Sequence, residues 1–146
     1  MKDLHSDIAI IDVFGPVSLD ADNTPAAIDL LGYSGVELVI GVGIGGITFS
    51  GSNKVEFTWT HSDDNSTYVE VVAADVLGEA SIGSGGIVKS LIAAHAAAAN
   101  YRFGYVGGKR YHKLLANFSG THGAATPLSA MFVCGAAHLA PIAADA

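Results

Sequence analysis

The sequence predicts a mainly β protein: an antiparallel β-sandwich or β-barrel with one short helix or loop insert at about residues 87–100. Three observations predict it. Residues 55–61 alternate, with Val55, Phe57, Trp59 and His61 separated by Glu56, Thr58 and Thr60, the period of two of a strand with one buried and one wet face. Short runs rich in β-branched and aromatic residues recur along the chain, and the 18 glycines lie between them instead of in one linker. Only one segment has helical spacing, so seven or so short strands must supply the architecture.

In chain order, residues 8–14, with Ile8, Ile10, Ile11, Val13 and Phe14, predict a first strand closed by the turn pair Gly15 and Pro16. Residues 36–42 predict a second, more buried one. The alternating run at 55–61 leads into six short polar residues, 62–67, and a further β-rich run at 68–72, which together predict a hairpin. Residues 87–100 differ. Ile87, Val88, Leu91, Ile92 and His95 fall at helical spacing in an alanine-rich stretch, which favours a helix, whereas the leader Gly83, Ser84, Gly85 and Gly86 fits a loop feeding a strand. Residues 101–106 and 109–116 flank Gly107 and Gly108, a pair that accepts positive φ and predicts a hairpin turn. A last run, 128–135, is expected to close the sheet.

The chain has 146 residues, half of them apolar and 14 % charged, with a net charge of −7 and a mean hydropathy of +0.42. That is one domain, residues 1–146, with enough apolar material for a core and too little charge to stay disordered. No run of Lys or Arg exists to grip nucleic acid or an anionic membrane surface, so neither is an expected partner. The longest apolar stretches, 36–49 and 87–99, are short for a membrane span and are interrupted by Glu37, Lys89 and His95. The opening residues lack the apolar region of a secretory signal, so the chain is expected to stay where it is made. Cys134 is the single cysteine and cannot form an internal disulfide.

The motifs that carry chemistry elsewhere read blandly here. Residues 41–46 satisfy GxGxxG, but Ile47, Thr48 and Phe49 follow where a nucleotide fold needs a helix, so the glycines are expected at a strand end closely approached by another backbone or subunit. Asp63, Asp64 and Asn65 lack the calcium-loop register and are expected in a hairpin turn. The sequons at Asn65 and Asn117 are expected to be chance matches. Of the six histidines, none is paired at a zinc-site spacing, and His61 and His112 are expected to be hydrogen-bonded and half-buried within strands. No nucleophile, base and oxyanion set can be assembled, so no enzyme, no metal site and no cofactor are expected.

Two segments carry a family resemblance. They are residues 60–71, from Thr60 and His61 through Asp63, Asp64 and Asn65 to Tyr68 and Val71, with Ala74 and Asp75 beyond; and residues 101–111, from Tyr101, Arg102 and Phe103 through Gly107, Gly108 and Lys109 to Tyr111. With the opening Lys2, Asp3, Leu4, His5 and Ser6 and the closing His138, Leu139, Ala140 and Pro141, the chain resembles a family of small structural proteins of tailed phages, encoded among their head genes. The resemblance implies a virion component, foremost a capsid decoration (cement) protein. Made in the host cytoplasm, it would bind the major capsid protein on the outer capsid surface as a homo-oligomer, expected as a trimer. Residues 82–100 depart from the family, in which a shorter connection is expected.

Leu4, His5 and Ile8 at one end of the chain, and His138, Leu139, Pro141 and Ile142 at the other, are interface candidates, either as arms that order on a partner or as ordinary frayed termini. A neck or tail component is the alternative role. A further alternative is a carbohydrate-binding sandwich with Trp59, Tyr68, Tyr105 and Tyr111 as an aromatic platform.

Overall fold

Alternating burial along the strands organises the chain into two antiparallel sheets whose apolar faces meet. The computed structural model describes residues 3–78 and 81–138. A 3-10 turn, η1 (His5–Asp7), is followed by β1 (Ile8–Leu19), β2 (Ile28–Asp29), β3 (Tyr33–Val42), β4 (Lys54–Ser62), β5 (Val69–Glu70), β6 (Val76–Leu77), β7 (Ile87–Leu91), β8 (Ala99–Tyr105), β9 (Tyr111–Ser119) and β10 (Thr126–Ala137). Sheet A has the order β1-β10-β3-β8-β6 and sheet B the order β2-β9-β4-β5, with β7 also on β4. The sheets do not close on one another, so the architecture is a sandwich and not a barrel.

The core lies between them. β4 buries Val55, Phe57, Trp59 and His61, β9 buries His112, Leu114 and Ala116, β3 buries Leu38, Ile40 and Val42, and β10 buries Leu128, Ala130, Phe132 and Cys134. Each large apolar side chain so buried contributes about 1.5–3 kcal/mol. The period-two reading of residues 55–61 is met at every position of β4.

Four local expectations change. β1 does not stop at Phe14: it continues to Leu19 through register shifts at Asp12/Phe14 and Phe14/Val17, and the bulges accommodate Pro16, which has no N–H for a ladder. The run at 128–135 does not close the sheet but lies centrally in sheet A, between β1 and β3.

Residues 87–100 contain no helix. Ile87–Leu91 is β7, and 92–98 is the loop that feeds β8. The helical spacing of Val88 and Leu91 is overridden because β4 offers an open edge on which both bury as strand residues. That edge is shared: Trp59 N–H donates to the Gly86 carbonyl while the Trp59 carbonyl accepts from Val71 N–H, so β5 and β7 meet at this point. Gly86 has φ +70°, and a Cβ there would run into the Trp59 carbonyl, so the junction requires glycine.

Gly107 and Gly108 do not make a hairpin. β8 belongs to sheet A and β9 to sheet B, so the pair carries the chain across the sandwich. The hairpin from β4 does form, but its second strand pairs only at Val69 and Glu70.

On the far side of sheet B the edge of β9 is covered by side chains. The Asn23 amide accepts from Ala116 N–H at 2.7 Å and donates to the Leu114 carbonyl at 3.2 Å, and Asp22 accepts from Phe118 N–H at 2.6 Å. Asn23 thus imitates one residue of a neighbouring strand.

Candidate functional site

The strand register brings Cys134, Val36 and Tyr105 of sheet A to the same end of the sandwich as His61 and His112 of sheet B. This upper end holds hydrogen-bonded polar side chains, whereas Thr126, buried at the lower end, has an Oγ1 with no partner among the described residues. Trp59 Nε1–H donates to His112 Nδ1 at 3.0 Å, and because indole nitrogen only donates, His112 carries its proton on Nε2, which donates to the Lys109 carbonyl at 2.9 Å. Burial pushes the His112 pKa down to about 4, so the ring is neutral at pH 7.

His61 stands beside it, ring centroids 6.3 Å apart. The Tyr105 hydroxyl accepts Lys109 N–H at 2.9 Å, which leaves its own proton for His61 Nδ1 at 2.8 Å. Burial lowers the His61 pKa, against the opposing pull of Asp75, and raises that of Tyr105 to about 12. Asp75 Oδ2 lies 3.9 Å from His61 Nε2, too far for a hydrogen bond.

Both histidines were expected half-buried; both are fully buried, because each occupies an inward position of its strand next to Trp59 or Leu114. That parity was the available signal. Nothing in the sequence marked Tyr105 and Asp75 as their neighbours.

The network holds the sheet-crossing segment in place. Lys109 is gripped at its N–H by Tyr105, at its carbonyl by His112 and at Nζ by Asp63 at 2.6 Å. Beside it Arg110 donates two bonds to Asp29, at 2.7 and 2.6 Å, and that pairing lowers the Asp29 pKa. Gly107 packs so closely that a Cβ would meet Asp75 Oδ1 at 2.6 Å and the Tyr105 hydroxyl at 2.7 Å. The turn at 62–67 forms as expected: Asp64 accepts the N–H groups of Thr67 and Ser66 and the Ser62 hydroxyl, and its pKa falls to about 2.

Leu4, Leu31, Val69, Val72, Leu77 and Val106 are exposed, as are the charged neighbours Asp29, Asp63, Asp64 and Glu70. Of these apolar side chains Leu31 and Val106 share a cleft of about 280 Å³, which is also lined by Leu30, Tyr33, Lys109 and His138.

Of the interface candidates, Leu4, His5, Ile8 and His138 are brought together here. β1 and β10 are antiparallel, Ile8 faces Gly135, and His138 is tied to β3 by its N–H to the Gly32 carbonyl at 2.8 Å and its Nε2 to Ser34 Oγ at 2.8 Å. Leu4 immediately precedes η1 and His5 begins it, and Asp3 accepts His5 N–H at 2.9 Å. Through His138 the chain is thus anchored and not a free arm. Leu139, Pro141 and Ile142 lie outside the described residues.

The four-ring platform does not exist at the surface. Trp59 and Tyr105 are buried, 5.4 Å apart, at the centre of the upper core. Tyr68 and Tyr111 remain partly exposed, each covered by a cation: Lys113 Nζ lies 4.1 Å from the Tyr68 ring and Arg110 4.7 Å from that of Tyr111.

At the opposite end a shallow groove of about 550 Å³ crosses the outer face of sheet A over Gly41, Gly43, Ser129 and Asn100. The glycines of the GxGxxG stretch end β3 there, where a Cβ on Gly43 would meet the Pro127 ring at 2.8 Å. No helix follows them. Among the described residues no group of three or more His, Cys, Asp or Glu is placed to hold a metal ion, and no helix is long and apolar enough to cross a membrane. No protein-family model, curated protein or solved structure matches the chain.

Proposed function

We propose that this chain is a structural component of a tailed-phage virion: a capsid decoration protein that binds the major capsid protein as a homo-oligomer and attaches by its upper end. The observation that carries this reading is the exposure of Leu31 and Val106 on one cleft of about 280 Å³ at the upper end, beside the sheet-crossing loop. Exposed apolar side chains that share a cleft mark an interaction site, whereas the same side chains scattered singly would mean nothing. The two segments that resemble phage head proteins, 60–71 and 101–111, build this same end, through the Asp64 turn and the sheet-crossing loop.

The physics asked of such a protein is modest. A standard interface buries roughly 1,200–2,000 Å², and several linked copies reach high occupancy through effective concentration and not through strong individual contacts. The buried network serves this by fixing Lys109 and hence the loop that carries Val106. The charge of −7 keeps free copies soluble.

Particle composition tests the reading. In virions of a phage that encodes the chain, a decoration protein is present in hundreds of copies on the capsid. Absence from the particle, or a few copies confined to neck or tail, overturns it. The double substitution Leu31→Asp with Val106→Asp should abolish binding to capsids that lack the protein while leaving the melting temperature of the free chain unchanged.

A further inference from the structure

β1 is an outermost strand, and among the described residues its only strand neighbour is β10. The other outermost strands are short: β2, β5 and β6 have two residues each, and β7, with five, is met at Ile87 by backbone bonds from Gly83. Asp22 and Asn23 close the edge of β9, β6 covers the upper part of β8, and β5 and β7 share the outer edge of β4. Along β1 the protection is uneven. Its second half carries the two bulges, Gly15 and Pro16, features that discourage strand addition. Its first half, from Ile8 to Asp12, is a regular ladder with no proline and one charge. The core is also incompletely closed beside it: inward Ile11 and Val13 are only half-buried, and outward Ile10 is 51 % exposed.

We infer that a second copy of this chain covers this edge, β1 pairing antiparallel with β1 about a twofold axis through Ile10 and joining two five-stranded sheets into one. The side chains select that axis. Directly opposed residues must share a face, so the axis must pass through a residue and not between two. Through Asp12 it would set two carboxylates face to face. Through Ile11 it would carry the pairing into the Asp12/Phe14 bulge, and through Ala9 into η1.

Through Ile10 the pairing occupies the uninterrupted ladder alone. Ile10 then lies against Ile10 on the outer face, small Ala9 against Ile11 on the inner face, and Asp12 against Ile8. The two Asp12 carboxylates are four residues apart along the ladder, about 14 Å at a rise of about 3.4 Å per residue, beyond the screening length of about 8 Å. This inference rests on the self-association in the proposed function and gives it an interface, independent of attachment to a capsid.

The experiment is sedimentation equilibrium of the full chain at tens of micromolar, with no capsid present. The wild type should have twice the 14.9 kDa mass of one chain. Ile10→Lys and Ile10→Glu should each weaken self-association at least about tenfold while the diluted, monomeric chains keep the wild-type melting temperature, because like charges then oppose each other across the axis. An equimolar mixture of the two variants should restore the dimer. Under mild oxidation Ile10→Cys should cross-link between copies and Ile8→Cys should not, while the native Cys134 is buried. A monomeric or trimeric wild type, single charge variants that remain dimeric, a mixture that stays monomeric, or equal cross-linking at Ile8 each overturn the interface. Capsid binding, read separately on particles, decides the proposed function whatever this result.

Discussion

The core has two halves of different chemistry. Below Phe57 and Ala130 it is mainly apolar, with Val42, Val55, Leu91, Ala116 and Leu128, and the polar side chain buried there, Thr126, has an Oγ1 with no partner among the described residues. Above Trp59 and Phe132 the same two sheets enclose His61, His112 and the Tyr105 hydroxyl, each with a partner. A dry core gains stability from area and packing and is indifferent to pH. A polar one gains little net energy but admits few arrangements, because a misplaced chain leaves buried donors unpaired. The polar half lies under the sheet-crossing loop that carries exposed Val106, and its bonds to Lys109 hold that loop in place.

The contrast can be broken or sharpened by four measurements. The largest effect belongs to the dry half: Phe57→Ala removes a fully buried ring and should cost about 3–5 kcal/mol in urea unfolding, equally at pH 7 and pH 5. A pH-dependent cost would contradict the division.

Acid should act through the other half. The His112 pKa falls from 6.5 to about 4 on folding, so below pH 6.5 the unfolded chain takes up a proton that the folded one refuses. Stability is complete above pH 6.5 and is lost as the pH falls towards 4, by about 3 kcal/mol at most, with His61 adding in the same direction. In His112→Gln the slope of unfolding free energy against pH should flatten, and an unchanged slope would remove His112 as its cause.

Tyr105→Phe keeps the ring and deletes the hydroxyl, leaving Lys109 N–H and His61 Nδ1 without their partner. A loss of about 1–3 kcal/mol is expected, with faster amide exchange at Lys109. The smallest effect on stability belongs to the exposed rim. Leu31→Asp or Val106→Asp should change unfolding free energy by no more than about 0.5 kcal/mol. A larger cost would mean that these side chains support the fold and not a partner.

Much of the fold was legible because strand burial is a local pattern. The run from Val55 to His61 specifies its own inward face, and the polar stretch after Ser62 specifies a turn, whichever strand lies alongside. Where two local signals competed, the neighbour decided. Val88 and Leu91, three apart, fit one face of a helix and opposite faces of a regular strand, and it is the register shift opposite Phe57 and Thr58 of β4 that lets both bury as strand residues. Gly107 and Gly108 permitted a tight reversal but could not tell a hairpin from a crossing between sheets.

The site was less legible. His61 and His112 lie 51 residues apart, and their meeting depends on the β4–β9 register. The chain ends approach each other only because β1 and β10 are antiparallel neighbours. Sequence alone determined that this is a β protein with a large apolar core, since period, composition and turn chemistry are properties of adjacent residues. Tertiary structure decided which edges are covered, where the polar groups are buried and that Leu31 and Val106 share a cleft. Those are contacts between distant segments, and a strand's period is the same whatever partner it finds.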